Sequence, residues 1–328
     1  MSEKWRGAPE EDAVRKLLAE AGPRPDLPEE DLRAIRDAAR SEWSRRYAAG
    51  TGRRWIPLAA ALLAGAVGLA WWMRSRPAEV APTVASVERV TGSAPGKVGS
   101  PVVAGSRLDT GATAPGRLTL RMRGGASVRL DAATQVRLAS ATMVELERGA
   151  VYVDTGVAPA RAEDVAVRAA SALFRPAGTQ FQVRIGARDA KLQVREGRVT
   201  VDRGTESVVA AAGEEVVVSD DGRVVRRPGT VSGADWAWVG ESAPVFAIEG
   251  MKLREFLNWI GRETGLRIEL ADSEAAAVAD SCVLHGSIEN LTLNDAPGVV
   301  LSSCGLGSRV SDGKLVVFAI GKKGRPTR

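Results

Sequence analysis

Three side chains near the C-terminal end have types that do chemistry: Cys282, His285 and Cys304. A closed zinc centre takes four ligands drawn from Cys and His, and the chain holds only two Cys and one His, so no such centre can be built. Nucleophilic catalysis through a Ser-His or Cys-His pair would have to use His285, the lone imidazole. That residue lies in a strand-like run and reads as an ordinary half-exposed side chain. No phosphate-binding P-loop and no G-x-S-x-G elbow occurs. Composition leaves a paired-carboxylate hydrolase open, but no pattern marks a deep cleft to hold one. The chain is therefore expected not to be an enzyme, with no cofactor and no metal.

What positions these side chains follows from length and patterning. The 328 residues allow about two domains. Apolar residues make up 45%, enough for hydrophobic cores, and 35 Gly with many Val suggest short strands joined by tight turns. Net charge is +5, but basic and acidic residues are interspersed. Residues 1–54 hold 12 Lys or Arg against 11 acids. This is solvated surface rather than a polyanion site, and no direct nucleic-acid contact is expected.

Trp55–Met73 reads WIPLAAALLAGAVGLAWWM, 19 residues without a charge. As a helix it would span about 28 Å, close to the hydrocarbon thickness of a bilayer. Trp55 stands at one end and Trp71–Trp72 at the other, where amphipathic rings favour the interface. The 20 residues before it hold six Arg and the 20 after it three. The positive-inside bias places the N-terminus in the cytoplasm and residues 74–328 outside it. The expectation is a single-pass protein of a bacterial inner membrane, its C-terminus in the periplasm.

The tail, residues 1–54, reads as two short amphipathic helices, Pro9–Ala21 and a second from Pro28 toward Tyr47. The second has acids in its first turn, where the helix dipole favours them. Leu32, Ile35, Ala39 and Trp43 share one of its faces. That face, with Leu32, Ile35 and Trp43 as its large residues, either binds a partner or lies on lipid.

After a Pro-rich linker at 74–84, the stretch 85–228 is a series of strand signals. Examples are Arg117–Met122, Ser127–Leu130, Val136–Leu138, Met143–Leu146, Ala150–Val153, Gln180–Ile185, Lys191–Val194, Val199–Val201 and Glu215–Val218. Turn residues separate them at intervals of roughly 8–12, which predicts an all-β domain of stacked short strands, solenoid- or sandwich-like. Phe181 and Val183 alternate onto one face with Ile185. Glu196 is expected in a strand-ending turn before Gly197. Gly178 and Gly197 suit backbone needing positive φ or close approach. The motifs LDTG (108–111), LTLR (118–121), GASVRL (125–130), LERGAVYV (146–153), AGTQFQV (177–183), LQVREGRVTV (192–201) and AGEE (212–215) follow in order. In that order and spacing the stretch resembles the FecR domain of bacterial inner-membrane signalling proteins. The positions carrying the resemblance, Gly178, Thr179, Phe181, Glu196, Gly197 and Gly213, read as structural.

A second linker is expected at 229–243, then a compact domain at 244–318 and a basic tail at 319–328. Strand Val245–Ile248, helix Lys252–Thr264 ending at Gly265, strand Leu266–Leu270, strand Cys282–Ile288, a helix opened by Thr292 and Asp295, and strand Lys314–Phe318 give the order β-α-β-β-α-β. Pro297-Gly298 inside that second helix would shorten or kink it. Phe246-Ala-Ile-Glu-Gly, the Leu253–Gly265 helix, Leu284-His-Gly-Ser-Ile and Leu291-Thr-Leu resemble the short domain at the N-terminus of secretins and TonB-dependent transducers. Trp259 lies off the apolar stripe of its helix, either as a flank packing on the β domain or as an exposed anchor for a partner. Cys282 and Cys304, exported into an oxidising compartment, either form a disulfide closing a loop worth about 3 kcal/mol or remain two buried thiols.

The resemblance implies a transmembrane signal transducer. A cytoplasmic sigma factor of the extracytoplasmic-function type would be its inner partner. A TonB-dependent transducer or another envelope protein would be its outer one. The alternative is a membrane-anchored periplasmic binding or scaffold module with no transcriptional role. The tail is shorter than the family's usual cytoplasmic part, so sigma-factor control rests on the exported modules.

Overall fold

A computed structural model describes residues 28–48, 81–111, 116–156 and 164–320, together with Lys16 and Glu20. The predicted span Trp55–Met73, most of the first tail helix and the basic stretch 321–328 lie outside the described residues. Among the described residues no helix is long and apolar enough to cross a membrane. The chain divides into two units, residues 1–79 and 80–328.

In the first unit, helix α1 (Glu29–Ala48) begins directly after Pro28, with Glu29, Glu30 and Asp31 in its first turn. The Pro28 carbonyl accepts from the N–H groups of Asp31 and Leu32. Leu32, Ile35 and Trp43 are exposed, at 43%, 58% and 68%.

The second unit starts with fourteen strands: β1 (Thr83–Gly92), β2 (Pro101–Val103), β3 (Arg107–Asp109), β4 (Gly116–Met122), β5 (Ser127–Leu130), β6 (Gln135–Ser140), β7 (Met143–Arg148), β8 (Ala150–Asp154), β9 (Ala166–Ala169), β10 (Ala172–Ile185), β11 (Asp189–Arg203), β12 (Glu206–Ala211), β13 (Glu214–Ser219) and β14 (Val224–Pro228). They form one sheet along the path β2-β1-β4-β5-β8-β10-β9-β7-β6-β3, with β11 to β14 branching from β10. The β7–β9 pair is parallel. The sheet curls around a single core of Val, Leu and Phe side chains drawn from β1 through β13, with Phe174, Phe181 and Val183 fully buried in it. Ile185 packs against the same core, so the predicted face is correct.

Two expected strands, Lys191–Val194 and Val199–Val201, are halves of the single strand β11. Glu196 and Gly197 do not end a strand. They lie at a bulge where the pairing jumps from Gln180↔Glu196 to Ala177↔Arg198. Gly178 (φ 63°) and Gly197 (φ 78°) face each other there. A Cβ on Gly197 would sit 2.3 Å from the Gly178 carbonyl oxygen, so only glycine fits. The bulge bends the strand. Its first half pairs with β13 and its second half with β12, which is how the sheet branches. Strand β1 also begins inside the stretch read as a linker.

The stretch 229–243, expected to be a linker, is packed structure. A 3-10 turn (Ala234–Trp236) leads into the short helix α2 (Ala237–Glu241). Trp236, Trp238 and Val239 are buried against Ala150 and Tyr152 of β8. This strap lies over the outer face of the sheet at β8, and β8, residues 179–183 of β10 and residues 192–195 of β11 are buried on both sides.

The C-terminal region holds α3 (Leu253–Thr264), β15 (Arg267–Leu270), α4 (Ser273–Ser281), α5 (Ala296–Ser303), β16 (Leu306–Ser311) and β17 (Lys314–Ala319). Its sheet order is β15-β17-β16, with β15 parallel and β16 antiparallel to β17. A small α+β region is present, but the order is α-β-α-α-β-β and not β-α-β-β-α-β. Val245–Ile248 makes no strand, and its apolar alternation reflects packing, with Ile248 buried. Cys282–Ile288 contributes one isolated bridge, Lys252↔Val283. The Ala-rich run before it forms α4, capped by Asp272 accepting the Ala275 N–H at 2.6 Å. Helix α5 begins after Asp295, so Pro297 falls in its first turn, where a missing N–H costs nothing. Helix α3 stops at Gly265 in the left-handed region (φ 73°), as its spacing predicts.

Candidate functional site

The outer face of the β sheet carries polar side chains, and the strap and α3 bury them. Arg129 on β5, Tyr152 and Asp154 on β8, and Arg195 on β11 project from that face. They meet the last turn of α3, where Arg262 and Glu263 sit beside Thr264. Leu253, Phe256, Leu257 and Ile260 of α3 face the C-terminal core. Glu263 is buried as well.

Arg129 donates two hydrogen bonds to Glu263, Nη1 to Oε2 at 2.6 Å and Nη2 to Oε1 at 2.9 Å. It donates a third to the Val239 carbonyl at 2.8 Å. The two side chains are 1% and 6% exposed. Burial works against the Arg129 cation, but the Glu263 carboxylate outweighs it and holds the guanidinium above its ordinary pKa. Burial pushes the Tyr152 phenol well up, and the Arg129 guanidinium lies 4.9 Å from its ring centroid.

Arg195 closes the C-terminal end of α3. It donates to the carbonyls of Glu263 (3.0 Å) and Val231 (2.8 Å), so its positive charge meets the negative end of the helix dipole. Its guanidinium stacks 4.2 Å from the Trp236 ring centroid. Burial lowers its pKa. Arg262 bonds to Asp154 and, at 2.9 Å, to Glu196. Burial opposes the Asp154 anion, but Arg262, the Gly156 N–H and Gln180 together hold its pKa below the ordinary value.

The strap is fixed by a second polar chain. Trp238 Nε1 donates to Gln182 Oε1 (3.0 Å), Gln182 donates to Gln193 (2.8 Å), and Gln193 donates to Glu215 (3.0 Å). Thr119 Oγ1 donates to the Ser242 carbonyl at 2.6 Å. The arrangement holds charges in fixed register between two layers. It contains no nucleophile beside a base. The ion pairs Arg129–Glu263 and Arg262–Asp154 tie α3 to β5 and β8, and the Arg195 hydrogen bond to the Glu263 carbonyl ties it to β11.

Of the residues singled out in the sequence, Glu196 belongs to this cluster through Arg262. Thr179 is buried nearby, its N–H bonded to Thr155 Oγ1 at 2.8 Å. Gly213 (φ 80°) turns β12 into β13 and donates to the Val194 carbonyl. Trp259 stacks on Phe246 at 4.7 Å, within its own region, rather than on the β sheet. Cys282 and Cys304 form a disulfide joining the ends of α4 and α5. His285 is exposed and bonds Glu249 at 2.9 Å. Among the described residues no three His, Cys, Asp or Glu side chains are placed to hold a metal. The sequence pattern does not single out the pair Arg129–Glu263. The signal available was an acid one turn after Ile260, on the apolar side of α3.

Residues 107–200 match the family described as FecR protein. No curated protein matches the chain. Two crystal structures, each titled as that of a putative anti-sigma factor from Parabacteroides distasonis ATCC 8503, are similar. One shares 17% identity over 71% of this chain and all of its own, with a TM-score of 0.33. The other shares 18% identity over 62% of this chain and 95% of its own, also with a TM-score of 0.33.

Proposed function

We propose that this chain, which carries a FecR domain over residues 107–200, is a transmembrane signal transducer that regulates an extracytoplasmic-function sigma factor. The FecR match is the observation that carries the reading. Trp55–Met73 crosses the bacterial inner membrane, with the N-terminus in the cytoplasm and the rest in the periplasm. The exposed face of α1, with Leu32, Ile35 and Trp43, contacts the sigma factor. The C-terminal region, which resembles the secretin and TonB short domain, receives the envelope partner, a TonB-dependent transducer or another envelope protein.

The buried cluster supports this reading mechanically. A partner engaging the C-terminal region pulls on α3, and the Arg129–Glu263 and Arg262–Asp154 pairs pass that load into β5 and β8. The disulfide keeps the receiving region intact in an oxidising compartment. Two reporter fusions test the topology. A reporter that works only in the cytoplasm should be active after residue 50, and one that works only outside should be active after residue 230. Reversed activities would overturn the orientation and the relay with it.

A further inference from the structure

A cavity of about 890 Å³ opens between the strap, the end of α3 and the 288–294 loop. Its size suits a drug-sized ligand. Much of its wall is apolar. Val245 and Val310 are exposed there, at 53% and 64%, and Phe246, Trp259, Leu291 and Leu293 are half-buried. Phe246 and Trp259 stack at 4.7 Å. Asn290 and Asn294 line the rim, are exposed, and among the described residues make no side-chain hydrogen bond. Each offers one carboxamide acceptor and two donors, which complement the N–H and C=O of a peptide group.

Two cations of the lining meet only neutral hydrogen-bond acceptors and keep their charge. Arg195 donates to backbone carbonyls and is buried, so it contributes field rather than contact. Arg89, half-buried on β1, gives Nη1 to the Ala243 carbonyl at 2.5 Å and among the described residues has no acid partner. Its Nε and Nη2 N–H groups are left as a parallel pair of donors, the geometry that grips a carboxylate in two bonds. The carboxylates of the lining do not cancel these charges. Glu263 is held by Arg129, and Glu241 by Arg117 at 2.7 Å. Glu289 has no cation partner among the described residues, but it stands exposed on the rim, where solvent screens it. The interior therefore favours one anionic group set beside an apolar body.

We infer that this cavity binds the C-terminal end of a peptide that finishes in an apolar residue. The terminal carboxylate meets Arg89, the last side chain lies on the Phe246–Trp259 wall, and the peptide groups before it bond Asn290 and Asn294. The Arg89 bond to the Ala243 carbonyl, close in the chain to Phe246, keeps the cation near that wall. The inference does not depend on the signalling reading, because it rests on the cavity alone.

The test is calorimetric titration of the full-length chain in mild detergent, against a blank of micelles alone, with three probes: acetyl-Ala-Val-Phe as the free acid, the same peptide as its C-terminal amide, and hydrocinnamate. The free-acid peptide should bind with Kd below about 1 mM. The amide should bind at least about tenfold more weakly, because it loses the charge-assisted bonds. Hydrocinnamate, which has the ring and the carboxylate but no peptide group, should also bind more weakly. The Arg89→Gln variant should bind acid and amide alike. The Asn290→Ala/Asn294→Ala variant should lose at least about fivefold in affinity for the acid, with its melting temperature unchanged. If Arg89→Gln unfolds, the acid and amide comparison on the native chain and the exposed Asn variant keep the test decisive. Failure of the free-acid peptide to bind would overturn the inference. So would equal binding of the amide or of hydrocinnamate, or a preference for the acid that survives in folded Arg89→Gln.

Discussion

Replacing Glu263 with Ala should destabilise the protein far more than loss of an ordinary surface carboxylate. The reasoning starts from desolvation. Each ion of the Arg129–Glu263 pair gives up its water at a cost of several kcal/mol, recovered only by two good hydrogen bonds. With Glu263 gone, Arg129, 1% exposed in the native protein, keeps one hydrogen-bond partner, the Val239 carbonyl. Removing one partner of such a pair costs about 3–5 kcal/mol. For a unit of this size, about 2–4 °C of melting temperature accompanies each kcal/mol, so the expected fall is about 6–20 °C. Thermal unfolding of the full-length chain by circular dichroism reads it directly. The Arg129→Met/Glu263→Leu variant removes both charges at similar volume and should melt above either single variant. A fall under about 3 °C for Glu263→Ala, or strict additivity of the two single changes, would refute the idea that the pair is buried and coupled.

Other consequences can be measured in the same protein. Reducing Cys282–Cys304, or replacing both with Ser, opens a loop of 22-residue separation and should cost about 3 kcal/mol, seen as a lower denaturant midpoint. Gly197→Ala should cost on the order of 2 kcal/mol or more, because positive φ and the Gly178 carbonyl both oppose a Cβ. Gly178→Ala, with open space around it, should cost about 1 kcal/mol through φ alone. The Asp154 carboxyl has a folded-state pKa below its ordinary 3.8, so the unfolded chain takes up this proton first as pH falls. Its contribution is complete above about pH 5, declines through the ordinary value and vanishes below the lowered one. Asp154→Asn should therefore flatten the acid limb of the stability profile, and an unchanged limb would show that Asp154 does not drive it.

Much of this architecture was legible in residue order. Alternation in RLTLRM and FQVRI places one face of each strand in a core, and the structure puts Leu118, Leu120, Phe181 and Val183 there. The stripe Leu253, Phe256, Leu257 and Ile260 with Gly265 as stop describes α3 correctly. What was not legible depends on contacts distant in sequence. Gln182, Gln193 and Arg129 are polar residues on strands, and nothing in their local pattern marks them as buried. They are buried because a strap more than 30 residues downstream of β11 lays Trp236 and Trp238 over them. The stretch carrying that strap reads as a linker because Gly, Ser and Pro surround two tryptophans. Glu196-Gly197 reads as a turn because a bulge and a turn use the same residue types, and only the facing Gly178 distinguishes them. Helix α4 is not legible in the sequence because three consecutive Ala give no amphipathic period.

In the proposed function, α1 meets a sigma factor while the stretch that matches FecR protein, residues 107–200, and the region after it face the envelope. The most direct measurement is recovery of cytoplasmic partners from the host on the full-length chain, identified by mass spectrometry. It is run beside the Leu32→Asp/Ile35→Asp/Trp43→Asp variant. The account predicts that a sigma factor is retained by the native chain and lost by the variant. Retention of no sigma factor, or equal retention by the variant, would contradict it and favour a membrane-anchored envelope module.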